Sequence, residues 1–269
     1  ITKKAIVERL KKAYQEKGWL NETGAKYPVE VAILKDNVLL TIDTSGSGLN
    51  KRGYRMAQGE APIKETLAAS LIRLANWKGD TPLIDPFCGS GTIAIEACLI
   101  AQNIAPGFNR DFVSEEWNMM PPNIYDKLRD EADQMADYDK EIEVYASDID
   151  PEMIEIAKRN AEEVGLSDII QFSVKDVNTL TIDSEGPVAL VGNPPYGERI
   201  GDREEVEEMY RYIGTLMKEH PYLSTYILTS NKEFEYLVNR KATKRRKLFN
   251  GYIECTYYQY WGKKPESKS

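Results

Sequence analysis

The sequence predicts an α/β fold in which helices cover both faces of a mostly parallel, seven-stranded sheet that ends in an antiparallel hairpin. From about residue 60 onward, short apolar strands alternate with helices, which implies parallel strands joined by right-handed crossovers. The strands are mostly apolar along their length, as is typical of a sheet buried on both faces. Asn250 and Gly251 stand between two strand-like runs, and this pair is the strongest short-range signal for a hairpin.

The first fifty residues read as a separate domain. Lys3 to Lys17 place apolar side chains at helical spacing, and the runs Val29 to Leu34 and Val38 to Ile42 predict two strands joined by a turn at Asp36-Asn37. The glycine- and serine-rich stretch 45–48 predicts a flexible break. The predicted domains are therefore 1–50, a linker at 51–59, and 60–269.

The elements of the second predicted domain follow from the period of its apolar residues. Leu67, Leu71 and Leu74 recur at helical spacing, whereas the strands are short apolar runs that end in polar or glycine-rich turns. The predicted helices are 60–77, 92–102, 123–137, 151–164 and 204–219, the predicted strands are 82–84, 143–147, 169–174, 187–191, 225–228, 247–249 and 252–261, and 103–122 is predicted as a loop.

The composition is that of a globular protein, because 42% of the 269 residues are hydrophobic and 29% are charged. The three cysteines are far apart and the chain has one histidine, so we expect no metal site and a reducing, cytoplasmic setting. No run of about 18 apolar residues occurs, so we expect no membrane span. The chain opens on Ile1 rather than Met, and we expect it to be a piece of a longer protein.

A net charge of −8 argues against a protein that coats nucleic acid without specificity. It is compatible with a protein that grips a structured RNA through a local basic patch, and one basic run is present. Two interpretations of this run stay open: contact with nucleic acid, or a solvated strand edge whose charges prevent aggregation. The run consists of Arg240, Lys241, Lys244, Arg245, Arg246 and Lys247.

A glycine-rich turn from Asp85 to Thr92 lies between a predicted strand and a predicted helix. Glycines there let a ligand approach the backbone beside the N–H groups at the start of the helix. A phosphate-binding loop would need a lysine after the last glycine, and a dinucleotide site would need a third glycine; neither is present. The turn favours a ligand with an amino-acid end, against the alternative of a plain strand-to-helix turn. The predicted ligand contacts are Asp85, Phe87, Cys88, Gly89, Ser90, Gly91 and Thr92.

Acidic residues follow the next two predicted strands. Asp148 or Asp150 would accept hydrogen bonds from both hydroxyls of a ribose, with Ile149 against an adenine, while the other acid caps the helix that begins at Pro151. We favour Asp148 for the ribose. In the pair Asp176-Val177, the acid would accept a hydrogen bond from an adenine amino group.

The tetrapeptide Asn193-Pro194-Pro195-Tyr196 is the most specific signal in the sequence. The side-chain oxygen of Asn193 and the carbonyl of Pro194 can accept both N–H bonds of a nucleobase amine. This would turn the lone pair of the nitrogen towards a methyl donor seated over the glycine turn, with acceptors that the prolines orient in advance. Tyr196 can stack on an extruded base. The alternative, a proline pair that only terminates a strand, assigns no role to the asparagine or the tyrosine.

With these motifs in view, the chain resembles the bacterial THUMP-domain methyltransferases that form N2-methylguanine in 23S ribosomal RNA, a family whose members are often described as N6-adenine-specific DNA methylases. The resemblance rests on Asp85–Thr92 and on the tetrapeptide with Gly197-Glu198-Arg199. It also rests on Asp43–Gly46 and Lys51–Arg55, which join the two domains in that family.

The resemblance implies that residues 1–50 are the C-terminal part of a THUMP RNA-binding domain and that 60–269 form a class I methyltransferase domain with S-adenosyl-L-methionine as cofactor. The implied substrate is guanine N2 of 23S ribosomal RNA. Lys51–Arg55 is then expected either to contact RNA or to pack between domains.

Four other functions stay open at this point. One is a methyltransferase that acts on small molecules or proteins, which would lack the RNA-binding appendage whose remnant residues 1–50 resemble. A guanine-N2 enzyme acting on transfer RNA shares the motifs, and an adenine-N6 enzyme acting on DNA would use the same amine chemistry. Outside enzymes, a nucleic-acid-binding module with a degenerate fold would predict damage to Asn193 or Asp85, and both residues are present.

Overall fold

The computed structural model describes residues 2–20, 23–55, 63–196 and 202–264. The chain forms two compact units. The first contains residues 1–49 and 110–130, and the second contains residues 50–109 and 131–269.

Residues 1–49 of the first unit form one helix and a two-stranded antiparallel sheet, as predicted. The helix is α1 (Thr2–Tyr14), and the strands are β1 (Val29–Leu34) and β2 (Asn37–Ile42). The turn between the strands consists of Lys35 and Asp36, with φ of 48° and 63°, so it lies one residue earlier than predicted. Within the described chain, no residue of these three elements is buried.

The segment 110–130 belongs to the same unit as residues 1–49, which was not predicted from the sequence. The guanidinium of Arg110 donates hydrogen bonds to the carbonyl oxygens of Ser47 at 2.7 Å and Gly48 at 2.9 Å. The predicted flexible break at 45–48 is therefore a turn held by hydrogen bonds. The prediction was wrong because the bonds come from a residue far along the chain.

The second unit is a seven-stranded sheet with the order β5-β4-β3-β6-β7-β9-β8. Its first five strands are parallel, and β9 runs antiparallel to both of its neighbours. The strands are β3 (Leu83–Asp85), β4 (Val144–Asp148), β5 (Ile170–Val174), β6 (Val188–Gly192), β7 (Leu223–Thr229), β8 (Lys244–Asn250) and β9 (Ile253–Tyr260). The predicted mostly parallel sheet with a terminal hairpin is confirmed.

Helices pack on both faces of this sheet and form two apolar clusters with it. Almost every residue of α3 is buried because its apolar residues lie on all sides. The helices are α2 (Glu65–Ala75), α3 (Thr92–Ala101), α4 (Ile124–Gln134), α5 (Pro151–Glu162), α6 (Asp202–Glu219) and α7 (Phe234–Leu237).

Differences from the predicted elements are confined to ends and short pieces. The strand predicted at 247–249 begins at Lys244, so the basic run enters the sheet. The helix predicted at 60–77 begins at Glu65, and residues 56–62 lie outside the described part. The four-residue helix α7 was not predicted. No helix in the described ranges is long and apolar enough to cross a membrane.

The sheet topology also decides where a ligand can bind. β3 lies between β4 and β6, so the chain order reverses there, and the carboxyl ends of all three strands meet at one edge. Open α/β sheets bind ligands in the crevice at such a switch point. The loops that follow Asp85, Asp148 and Gly192 are the ones that carry the predicted motifs.

Candidate active site

The glycine turn has the backbone that its sequence predicts. Gly89 and Gly91 have φ of 49° and 83°, in the left-handed region that favours glycine. A Cβ at Gly91 would lie 3.0 Å from the Cβ of Ala157 on α5, so a side chain has little room there. Gly91 is the N-cap of α3, and the turn therefore leads directly into the first N–H groups of that helix.

Asp148 ties this turn to the end of β4. Its Oδ2 accepts a hydrogen bond from the backbone N–H of Gly89 at 2.9 Å, and its Oδ1 accepts one from the N–H of Asp150 at 3.0 Å. Asn160 on α5 donates to the carbonyl of Ser90 at 3.0 Å. The position of the glycine turn is thus set by side chains from two neighbouring elements.

The structure separates the roles that the sequence left open between two acids. Asp150 is the N-cap of α5, and its Oδ1 accepts a hydrogen bond from the N–H of Glu152 at 2.8 Å. Asp176 caps the short 3-10 helix 177–179 in the same way, with Asn178 as donor at 2.9 Å. Asp148 caps no helix and lines the cavity, as Asp176 does, whereas Asp150 does not line it.

Asp85 is completely buried at the start of the turn. Its Oδ1 accepts a hydrogen bond from the N–H of Phe87 at 3.3 Å, whereas its Oδ2 has no hydrogen-bond partner in the described chain. Burial raises the pKa of this carboxyl group to about 8, and the nearby Asp148 contributes to the rise. A buried carboxyl oxygen without a hydrogen-bond partner is costly, and once ionised this oxygen is suited to a ligand that brings a cation or an N–H group.

A buried ion pair, which was not predicted from the sequence, supports the same turn. One nitrogen of the Arg55 guanidinium, Nη2, donates to Thr92 Oγ1 at 2.7 Å and to the carbonyl of Ile63 at 2.9 Å. Its Nε lies 3.6 Å from Oε1 of Glu65, the first residue of α2. Both side chains are at least 90% buried, so Arg55 holds the hydroxyl of Thr92 through a contact shielded from water.

A second buried pair lies one helical turn further along α3. Glu96 Oε1 accepts a hydrogen bond from the Tyr54 hydroxyl at 3.0 Å and lies 3.4 Å from Nε of Arg52. Burial raises the pKa of Glu96, and Arg52 opposes that rise. Arg52, Tyr54 and Arg55 therefore pack within the second unit. This placement argues against an RNA-contact role for the two arginines.

The tetrapeptide follows β6 and lies beside the glycine turn. Gly192 precedes Asn193, and a Cβ at Gly192 would lie 2.8 Å from Cδ2 of Phe87, so the Phe87 ring packs directly on this backbone. The Tyr196 hydroxyl donates a hydrogen bond to Asn193 Oδ1 at 2.7 Å and accepts one from Asn250 Nδ2 at 3.1 Å. The side-chain oxygen of Asn193 is thus oriented by Tyr196, which the terminal hairpin supports.

Pro195 of the tetrapeptide is held from α6. The Tyr210 hydroxyl donates to the carbonyl of Pro195 at 3.1 Å and lies 2.9 Å from Thr229 Oγ1 at the end of β7. Both Tyr210 and Thr229 are completely buried. Sequence reasoning missed these two supports because they look like ordinary core residues of a helix and a strand. Residues 197–200, including Gly197, Glu198 and Arg199 of the extended motif, lie outside the described part.

One cavity of about 350 Å³ brings most of the predicted residues together. Of the predicted set, Asp85, Gly91, Pro194 and Tyr196 do not line it. Ile63, Pro86, Ile93, Met153, Lys175 and Met209 line it without having been predicted. The predicted residues that line it are Phe87, Cys88, Gly89, Ser90, Thr92, Asp148, Ile149, Asp176, Val177, Asn193 and Pro195.

The described side chains of this cavity can position a ligand but do not include an activated nucleophile. Burial, together with the nearby Asp85, raises the pKa of the Cys88 thiol far above its usual range, so Cys88 is not an activated nucleophile. Among the described residues, no three histidine, cysteine or acidic side chains gather as metal ligands. The cavity is lined by hydrogen-bond acceptors that are already oriented: Asp148 at the glycine-turn end and Asn193 at the tetrapeptide end.

The strand order, with a reversed final hairpin and a cavity at the switch point, is the architecture of class I methyltransferases, which depend on S-adenosylmethionine. The family model described as "RMKL-like, methyltransferase domain" matches residues 52–259. The chain belongs to this family.

Two relatives and one solved structure are similar over nearly the whole chain. "Putative RNA methyltransferase YpsC" of Bacillus subtilis (strain 168) is 56% identical, over 100% of this chain and 70% of that protein. "Ribosomal RNA large subunit methyltransferase K/L" of Shewanella baltica (strain OS185) is 37% identical, over 96% of this chain and only 37% of that protein. The crystal structure of "SMU.472, a putative methyltransferase complexed with SAH" has a TM-score of 0.92 and 42% identity, over 98% of this chain and 70% of that one.

Proposed function

We propose that this protein transfers a methyl group from S-adenosylmethionine to an exocyclic amine of an RNA base, and that the base is guanine, methylated at N2 in 23S ribosomal RNA. The observation that carries the proposal is that Asn193 and the glycine turn line one cavity. The names of the two relatives, one an RNA methyltransferase and one acting on large-subunit ribosomal RNA, support RNA as the substrate. The cytoplasm, where ribosomal RNA is available, is the proposed location.

The residues at the glycine-turn end fit S-adenosylmethionine. When bound, this cofactor supplies a methyl group on a positively charged sulfur. Asp85 does not line the cavity in this structure, so contact between its unpartnered oxygen and the ammonium of the methionine end stays a prediction. Each Asp148 oxygen accepts one backbone hydrogen bond and has a lone pair left for a ribose hydroxyl. Ile149 and Asp176 would meet the adenine.

The residues at the tetrapeptide end would orient the target amine. Asn193 Oδ1 already accepts a hydrogen bond from Tyr196, but an amide oxygen has two lone pairs and can accept an amine N–H as well. The carbonyl of Pro194 would take the second N–H. Acceptors that are fixed before the substrate arrives lower the barrier without reorganisation during the reaction. Stacking of the base on Tyr196 stays a prediction, since the tyrosine hydroxyl is held between Asn193 and Asn250 in this structure.

The identity of the base and of the RNA can be tested together. Ribosomal and transfer RNA from a strain that lacks the gene would be digested to nucleosides and compared by mass spectrometry with RNA from the parent strain. We expect a loss of N2-methylguanosine from 23S ribosomal RNA. Loss confined to transfer RNA would overturn the choice of RNA, and loss of N6-methyladenosine would overturn the choice of base.

Asn193→Ala tests the role of the tetrapeptide. We expect turnover to fall by roughly 10²-fold or more, because a preorganised acceptor for the target amine is lost. Cofactor affinity, measured by titration calorimetry, should stay close to that of the parent protein. Equal losses of turnover and cofactor affinity would contradict the assigned role.

A further inference from the structure

None of the residues of the basic run between 240 and 247 lines the cavity, so the cavity does not account for this run. Lys244, Arg245, Arg246 and Lys247 form the first half of β8, the outermost strand of the sheet. All four are exposed. The whole chain carries a net charge of −8, so this edge is a local reversal of the overall charge.

The strand divides these cations between two faces, because successive side chains of a strand point to opposite sides. Lys244 and Arg246 share their face with Leu248 and Asn250. Leu248 packs against the core cluster that includes α2. Tyr257, which is paired with Arg246 on β9, donates a hydrogen bond to a carbonyl of α2. Lys244 and Arg246 therefore belong to the side of the sheet on which α2 lies.

The cations of the two faces differ in their partners. On the opposite face, Arg245 donates to Glu235 at 2.9 Å, and Lys247 lies 2.6 Å from Glu254. Within the ranges that the structure describes, Lys244 and Arg246 form no ion pair. Protection of a sheet edge needs only charge, whereas a row of uncompensated cations on one face also attracts an anion.

This row leads to the proposed catalytic residues. Asn250 ends the strand on the same face as Lys244 and Arg246, and its amide donates to the Tyr196 hydroxyl, which in turn contacts Asn193. A strand rises roughly 3.3 Å per residue, which puts Arg246 roughly 13 Å along the strand from Asn250. A polyanion bound along the row would therefore run towards the tetrapeptide.

The tip of the hairpin adds exposed aromatic rings. Tyr252 follows the turn residue Gly251 and is fully exposed. Phe249 is 54% exposed, with the ammonium of Lys247 5.4 Å from its ring centre, but both residues lie on the face of Arg245 and are not part of the row. Cations that follow the backbone beside aromatic rings that stack on bases are the combination with which proteins bind single-stranded nucleic acid.

We propose that Lys244 and Arg246, together with Tyr252, form a docking surface for the RNA strand that flanks the target nucleotide. The two cations contact phosphates, and Tyr252 stacks on a base. The surface directs the strand so that the target base enters the cavity beside Asn193. This inference rests on the proposed function, since it takes RNA as the substrate.

The test measures binding of a fluorescein-labelled, single-stranded RNA of mixed sequence to the whole chain across a salt series. Each phosphate contact with a single strand contributes about 0.7 to the slope of log affinity against log salt, so Lys244→Ser with Arg246→Ser should lower the slope by about 1.4. The matched control is Arg159→Ser with Lys218→Ser, which removes the same charge from exposed positions on α5 and α6 and should leave the slope unchanged. Tyr252→Ala should weaken binding about tenfold without a change of slope.

Lys244→Glu with Arg246→Glu separates docking from protection of the sheet edge. This variant keeps the edge charged, so an edge-protection role predicts a monomeric protein with normal RNA binding. The docking surface predicts a monomeric protein that binds RNA more weakly than the serine variant. Normal RNA binding by both variants, or an equal loss in the Arg159 and Lys218 control, would overturn the surface. Parent protein that bound no RNA would overturn the proposed function as well.

Discussion

The two ends of the cavity are stabilised by different kinds of contact. At the glycine-turn end, charged side chains hold the turn. The buried Arg55 pairs with Glu65 and holds the Thr92 hydroxyl, while the half-buried Asp148 accepts the N–H of Gly89. At the tetrapeptide end the supports are neutral hydroxyl and amide groups, such as Tyr210. We therefore expect ligand binding at the glycine-turn end to depend on pH and on charge. At the tetrapeptide end we expect it to depend on single neutral hydrogen bonds.

This difference fits the ligand proposed for each end. S-adenosylmethionine carries charges that need fixed counter-charges, and a charge-assisted hydrogen bond is roughly twice as strong as a neutral one. A nucleobase amine is neutral, and its acceptors need orientation more than charge. Variants and pH changes that affect one end of the cavity and leave the other intact test this difference.

The largest expected effect is the pH dependence of cofactor binding, which depends on Asp85. Its pKa is raised to about 8, so the free protein carries a neutral carboxyl at pH 7, and binding an ammonium requires that its proton leave. We expect cofactor affinity to rise about tenfold per pH unit up to about pH 8. Calorimetry in a series of buffers measures this, and Asp85→Asn should flatten the profile. A flat profile in the parent protein would contradict the proposed contact.

The stability of the free protein should show the opposite trend. The raised pKa means that the folded state retains a proton that the unfolded state has lost. This contribution is fully present below the unfolded pKa of about 4 and is lost as the pH rises through about 8. Thermal melting across this range, with Asp85→Asn as the control, gives an independent check on Asp85.

The next effect concerns the two buried arginines. Arg55→Lys keeps the charge but loses the planar fork that reaches Thr92 and Glu65, so cofactor affinity should fall roughly tenfold, as for one hydrogen bond to a charged group. Arg52→Lys is the matched control, because its pair with Glu96 is similarly buried but lies away from the cavity. It should lower the melting temperature without altering cofactor affinity. Equal affinity losses in both variants would indicate general destabilisation.

The smallest effect should come from Tyr210→Phe. It removes the hydrogen bond to the Pro195 carbonyl, a neutral contact with a net value of about 0.5–1.5 kcal/mol, so turnover should fall by about two- to tenfold. Cofactor affinity should not change. Tyr212→Phe on the same helix loses a bond to the Leu180 carbonyl instead and should leave turnover unaltered. If both variants lost turnover equally, the tetrapeptide would not depend on Tyr210.

Much of the fold and of the cavity could be predicted because these features are local in sequence. The turn at Asp85–Thr92 needs glycines at fixed positions. The Asn250-Gly251 pair predicted the terminal hairpin, but Asn250 pairs with Ile253, so the turn residues are Gly251 and Tyr252, one residue later than predicted. Parallel strands bring their carboxyl ends to one edge, which was enough to bring Asn193 and the glycine turn together. The length of β8 was underestimated because its first half is a run of cations with low strand propensity.

The sequence by itself determined the strand and helix order, the glycine turn and the tetrapeptide, since each depends on backbone preferences and on the period of apolar residues. Only the tertiary structure decided that Asp150 caps a helix while Asp148 faces the cavity, and that Arg55 lies against Thr92, a residue 37 positions away. Nothing in a linear pattern specifies which buried charges meet, because that depends on the packing of helices whose contacts are distant in the chain.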